Sequence, residues 1–193
     1  IQSIHPDLKI IPLHDTSYKN TVPEHTKHHS HFIEDPHIWT SPARVKVIAQ
    51  KIKDTLAHAK PQKKKYFEAN LQAFSNDLDM LDKDIRNILT KKNKHRFMVF
   101  HPAWSYFAKD YDLRQVAIEL EGKEPGARSL KKIIEKAKKL EVKVIFVQKQ
   151  FSLSAAENIA KMIGATIHEM DPLAEDYLEN MRRTAIAISG ELQ

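Results

Sequence analysis

The feature that most constrains the fold is a long amphipathic stretch without glycine or proline, which runs from residue 62 to residue 92. Its apolar residues recur at alternating spacings of four and three, which places them on one face of an α-helix. They are Phe67, Leu71, Phe74, Leu78, Leu81, Ile85 and Ile88. At 1.5 Å per residue such a helix would be about 45 Å long, more than one small domain needs. We therefore expect either a coiled-coil partner or a rigid spine between two lobes.

After this stretch, short apolar runs alternate with amphipathic segments. The predicted strands are 97–100, 115–118, 142–147 and 165–170, and the predicted helices are 104–109, 129–140 (capped by Ser129), 154–163 and a last one from 173 toward 189. Strands joined by single helices form βαβ units with a parallel sheet. We expect an α/β fold in which such a parallel-sheet lobe (96–193) is joined by a long linking helix (61–95) to a second, partial α/β lobe (1–60).

The amino-acid composition argues against several classes of protein and of metal site. The net charge of +6 comes largely from lysine runs such as 63–65 and 131–132, but acidic residues are interspersed with them. No arginine–aromatic or glycine-rich pattern accompanies these runs, so we interpret them as solvated helix faces and expect no nucleic-acid partner. No apolar run approaches the roughly 20 residues of a membrane span. The absence of cysteine excludes disulfides and thiolate metal sites.

Three candidate metal ligands follow apolar stretches or precede helices: His37, His101 and Asp171. His101 and Asp171 come at the carboxyl ends of the first and last predicted strands, the edge where parallel sheets bind ligands. Two imidazoles and one carboxylate suit Zn²⁺, which accepts nitrogen and oxygen ligands. From spacing alone, the histidines could equally be structural, and Asp171 could cap a helix that starts at Leu173.

A histidine-rich stretch before these residues is a second, independent signal. It contains His25, His28, His29 and His31. Closely spaced imidazoles on a polar loop bind transition metals weakly without a preformed cage. The stretch is either an auxiliary loop that collects metal ions or an ordinary surface loop.

At these residues the sequence resembles the periplasmic solute-binding proteins for zinc and manganese, of the zinc-uptake type that serves ABC importers. The motifs that carry the resemblance are Asp35-Pro36-His37-Ile38-Trp39 with Ser41-Pro42, Phe100-His101-Pro102-Ala103-Trp104-Ser105-Tyr106-Phe107, Glu121-Gly122-Lys123-Glu124-Pro125, residues 146–151, and Asp171-Pro172-Leu173-Ala174. The resemblance implies two α/β lobes joined by one long helix, with the ion between them.

By the same resemblance, His37 is the ligand from the amino-terminal lobe, and His101 and Asp171 are ligands from the carboxyl-terminal lobe. Manganese-preferring relatives typically carry glutamate where His101 stands, so the resemblance favours Zn²⁺ as the bound ion. It implies an extracytoplasmic or periplasmic protein that captures zinc and delivers it to the membrane permease of an ABC importer. Such a protein is not an enzyme.

One departure from the family pattern concerns the start of the chain. Such proteins usually begin with a strand, a helix and a further histidine ligand, and nothing in this sequence matches them. We therefore expect a chain that lacks much of its amino-terminal lobe and binds zinc more weakly than a complete protein. The fourth zinc position would be filled by water, a loop histidine or a residue of a neighbouring chain.

Three alternatives remain at this stage. A zinc-dependent hydrolase would also use three protein ligands plus water, with Glu121 or Glu124 as the general base. A manganese-binding member of the same family would differ in the ion. A helical interaction or adhesion module would use the long helix and the basic surface.

Overall fold

A computed structural model describes residues 8–13, 35–91, 93–119, 125–150 and 153–192. The histidine-rich stretch 25–31 and the candidate bases Glu121 and Glu124 lie outside the described residues. The helices are α1 (Pro42–Ala59), α2 (Lys64–Ile88), α3 (Ser105–Asp110), α4 (Ala127–Lys139), α5 (Leu153–Ile163) and α6 (Tyr177–Leu192). The strands are β1 (Arg96–Val99), β2 (Arg114–Ala117), β3 (Val144–Val147) and β4 (Thr166–Glu169). None of the helices within these ranges is long and apolar enough to cross a membrane.

The predicted long helix is present as α2, with 25 residues and a length of about 37 Å at 1.5 Å per residue. Short 3₁₀ turns, Pro61–Lys63 and Leu89–Lys91, precede and follow it. Its apolar seam is partly buried at Phe67 and fully buried toward the end, at Leu81 and Ile85. The carboxyl-terminal part of α2 therefore belongs to the core of the α/β lobe.

The four strands form one parallel sheet in the order β2-β1-β3-β4. This confirms the α/β fold class and the βαβ connections. The chain runs from β1 to β2 on one side, then crosses back over β1 to β3 and β4 on the other. The junction of β1 and β3 is therefore the topological switch point, where open α/β sheets bind ligands beyond the carboxyl ends of the strands.

The sheet has two apolar faces, each covered by different helices. On one, which we term the site face, side chains including Phe97, Val99 and Phe146 pack against α2, α3 and α6. On the other, which we term the back face, Met98, Ile145 and Val147 pack against α4 and α5. Alternation of strand side chains produces this division.

Two predicted helix starts were wrong, and both errors come from misplaced caps. Helix α4 begins at Ala127 after Gly126, with no side-chain cap, so Ser129 lies inside the first turn. Helix α6 begins at Tyr177, not near Leu173, and the Asp176 carboxylate accepts a hydrogen bond from the backbone N–H of Glu179 at 3.3 Å. Asp and Ser side chains satisfy the first N–H groups of whichever turn they reach, and sequence alone does not say which.

Two other helix ends follow the usual capping rules. Ser41 caps α1, since its hydroxyl accepts a hydrogen bond from the Arg44 N–H at 3.2 Å, and Pro42 is the first helical residue. Gly164 follows α5 with φ of 72°, a left-handed conformation that favours glycine. Lys131 and Lys132 are exposed on α4, as expected of a solvated face.

Candidate metal site

Two of the three candidate ligands meet at the carboxyl edge of the sheet. His101 lies two residues beyond β1, and His37 lies just before the 3₁₀ turn Ile38–Thr40 that leads into α1. Their ring centroids are 5.2 Å apart, and the rings are inclined by 79°. The fold therefore brings together two imidazoles that are 64 positions apart in the sequence.

Each imidazole has a carboxylate at its Nδ1 atom. His37 Nδ1 lies 2.6 Å from Asp35 Oδ1, and the backbone N–H of His37 donates to the same oxygen at 2.9 Å. His101 Nδ1 is in close contact with Glu119 Oε2, and Glu119 is only 6% exposed. A carboxylate on Nδ1 fixes the tautomer and directs Nε2 outward, which is the usual arrangement of metal-binding histidines.

Asp35 is itself held by the start of α3. The Ser105 hydroxyl contacts Asp35 Oδ2, and the Tyr106 hydroxyl donates to the Asp35 carbonyl at 3.1 Å. Burial alone would raise the pKa of the Asp35 carboxyl, but the hydrogen bonds from His37 and Ser105 outweigh it and lower the pKa below its ordinary value. Asp35 is therefore a carboxylate at neutral pH and anchors the His37 segment to the lobe.

Asp171 follows β4 but does not join the two imidazoles. Its Oδ1 atom accepts hydrogen bonds from the Leu173 N–H at 2.9 Å and from Gln150 Nε2 at 3.3 Å. Within the described ranges, no group of three or more His, Asp or Glu side chains is placed to hold a metal ion. The structure thus pairs His37 with His101, whereas the Asp171 carboxylate is hydrogen-bonded to Leu173 and Gln150.

The backbone around Asp171 is nevertheless tied to the His37 segment. Trp39 Nε1 donates to the carbonyl of Pro172 at 3.0 Å, and Asn180 Nδ2 donates to the Asp171 carbonyl at 2.7 Å. Residues before α1 and residues after β4 therefore lie next to each other at the same edge of the molecule.

A polar cavity of about 260 Å³ lies between β4 and α6, with Asp171 in its lining. It also exposes Lys149 and Arg183, and Lys149 Nζ lies 3.2 Å from Glu169 Oε1. Its lining thus combines these two basic side chains with the carboxylates of Glu169 and Asp171.

Sequence reasoning missed the roles of Asp35 and Glu119. Glu119 lies two residues beyond β2, just as His101 lies two residues beyond β1, and the strands are adjacent in register. The rule that selected His101, a polar residue just past a strand, would also have selected Glu119. Asp35 has a weaker signal, its position two residues before a histidine.

The sequence from residue 2 to residue 190 matches the family described as the zinc-uptake complex component A, periplasmic. Zinc-binding protein AdcA of Streptococcus pyogenes is 32% identical over 176 residues, which cover 83% of this chain and 34% of AdcA. The high-affinity zinc uptake system protein ZnuA of Bacillus subtilis is 35% identical over 170 residues, which cover 82% of this chain and 53% of that protein.

A solved ZnuA deletion mutant with zinc bound superposes with a TM-score of 0.80 at 41% identity, over 84% of this chain and 62% of that one. The chain thus spans between about a third and a half of the length of these two curated relatives. The family match extends through almost all of the sequence and includes every candidate ligand. This chain belongs to the zinc-uptake complex component A family of periplasmic binding proteins.

Proposed function

We propose that this chain is the greater part of an extracytoplasmic zinc-binding protein that captures Zn²⁺ and delivers it to the permease of an ABC importer. The observation that carries the proposal is the pair of adjacent imidazoles, His37 and His101, each with a carboxylate on Nδ1. This arrangement makes both Nε2 atoms better donors to a metal ion. The names of the two relatives, which refer to zinc binding and zinc uptake, support the same proposal.

In this proposal, His37 and His101 supply two nitrogen ligands and Asp171 supplies an oxygen ligand. Asp171 would exchange its bonds from Leu173 and Gln150 for the ion. Both bonds are solvent-exposed, and the one from Gln150 is long at 3.3 Å, so the exchange costs little. The fourth position would be taken by water, by one of His25, His28, His29 and His31, or by a neighbouring chain.

The two imidazoles also support zinc over manganese as the cargo. Mn²⁺ favours carboxylate and water oxygens, whereas imidazole suits Zn²⁺. A binding site with His37 and His101 therefore discriminates against Mn²⁺ by ligand type. Titration with each ion in parallel measures this preference, and equal affinities would remove the argument.

Binding and transfer, without catalysis, fit the geometry of the carboxylates. Asp35 and Glu119 both contact Nδ1 of a histidine, so they are engaged in orienting ligands. A hydrolase would need a carboxylate that activates the zinc-bound water. We propose that α2 acts as the spine, and that zinc is released by a local shift of the 35–41 segment.

The test is calorimetric titration of the purified chain with Zn²⁺. We expect His101→Ala to weaken zinc binding at least 100-fold, because it removes a ligand and leaves Glu119 without its partner. His58→Ala is the matched control, since His58 is exposed on α1 outside the site. Unchanged affinity in His101→Ala, or no zinc binding by the chain itself, would overturn the proposal.

A further inference from the structure

Gln148 is the first residue after β3, and it is buried, with 7% of its surface exposed. Its amide nitrogen Nε2 is fully buried and has no hydrogen-bond partner among the described residues. Leaving a buried donor unsatisfied costs about 1–3 kcal/mol. Within the part of the chain that the structure describes, no contact offsets this cost, so the amide nitrogen is a candidate for binding a group outside the protein.

Sheet register places this side chain in the candidate site. Val99 of β1 pairs with Phe146 of β3 and with Ala117 of β2. Two residues further toward the carboxyl end, His101 follows Val99, Gln148 follows Phe146 and Glu119 follows Ala117. These three residues thus form one row across the carboxyl edge, with His101 in the middle.

The side chains of this row also share a face of the sheet. Val99 and Phe146 belong to the core of the site face, and Ala117 packs against it. Side chains two residues apart point to the same side, so the row lies on that face. The contact between His101 Nδ1 and Glu119 Oε2 agrees with this placement. Gln148 is then the neighbour of His101 on the side opposite Glu119, at the β1–β3 switch point.

We propose that Gln148 is a positioning residue of the zinc site, whose amide donates a hydrogen bond to an oxygen atom that binds the ion. The oxygen belongs to the Asp171 carboxylate or to a water. The inference rests on the proposed function and adds the residue that holds the oxygen ligand. It also explains why Nε2 has no acceptor among the described residues: the oxygen takes its place beside the amide when the ion binds.

This role predicts opposite effects on stability and on binding. Gln148→Leu removes an unsatisfied buried donor at nearly constant volume, so the metal-free protein should melt at a higher temperature. The same change should weaken zinc binding about 10-fold, the lower end for residues that support metal ligands. Gln115→Leu is the matched control for stability. The side-chain oxygen Oε1 of Gln115 accepts from the Trp104 backbone N–H at 2.9 Å, so its loss should lower the melting temperature.

The experiment combines thermal melts of the metal-free variants with zinc calorimetry. The variant Gln148→Glu tests whether residue 148 acts as a hydrogen-bond donor or as a zinc ligand. An ionised carboxylate cannot donate a hydrogen bond, but it can bind zinc. Weaker zinc binding by Gln148→Glu supports the donor role, and tighter binding overturns it. A lower melting temperature or unchanged zinc affinity in Gln148→Leu also overturns it. Failure of the unaltered chain to bind zinc would instead overturn the proposed function.

Discussion

The site face and the back face of the sheet are built from the same strands, yet they differ at the carboxyl edge. On the back face the last side chains are apolar, Ile118, Phe100 and Val147, and they complete a core with α4 and α5. One residue further along, on the site face, stand Glu119, His101 and Gln148. A single step in register thus separates hydrophobic core from polar site, because neighbouring residues point to opposite faces. Substitutions on the two faces should therefore have different consequences.

The largest expected effect is on the back face. Ile145 is fully buried there, and Ile145→Ala should lower the free energy of unfolding by about 2–5 kcal/mol through lost burial and a residual cavity. Zinc affinity of the folded variant should not change, because Ile145 points away from the site. Denaturant unfolding and zinc calorimetry measure the two quantities. A large loss of affinity in the folded variant would show that the faces are coupled.

A smaller effect is expected at Glu119. Glu119→Gln keeps the size of the side chain but replaces the carboxylate on His101 Nδ1 with a neutral amide. Zinc affinity should fall about 10-fold to 100-fold, the usual effect of altering a partner of a metal-binding histidine. Calorimetry at pH 7 measures the loss. Glu135→Gln, at an exposed position on α4, is the control that should leave affinity unchanged.

The smallest effect concerns the pH dependence of stability. Folding lowers the pKa of Asp35, so its ionisation stabilises the native state above the pKa of the unfolded chain, about 3.9. That contribution is lost as the pH falls through the native pKa. Asp35→Asn should therefore be less stable than the unaltered chain at pH 6, with the difference shrinking toward pH 3. A difference independent of pH would show that the charge of Asp35 does not matter.

The sequence predicted the strands to within one or two residues. The apolar runs of β1 and β3 are the clearest signals, whereas β2 and β4 also contain polar residues. It also predicted that His37 and His101 belong together, through the family resemblance and the rule for strand ends. It did not reveal the partner of either imidazole. The pairing of His101 with Glu119 depends on which strands are adjacent, and the order β2-β1-β3-β4 is a property of the whole fold.

Asp171 shows a second limit of prediction from the sequence, which concerns the conformation of a side chain. Its position after the last strand was predicted correctly, as was its ability to bond to a nearby N–H group. Whether its carboxylate faces Leu173 or a metal ion is a choice between rotamers of one exposed side chain. Sequence does not determine such a choice, because several staggered rotamers are open to the same side chain.

The hydrogen bond from Trp39 to the Pro172 carbonyl joins residues 133 positions apart. It holds the segment that carries His37 against the residues after β4, so this contact offsets part of the entropy cost of ordering that segment. In the proposed release by a shift of the 35–41 segment, this bond must break, so the rate of its opening would set an upper limit on the rate at which zinc leaves.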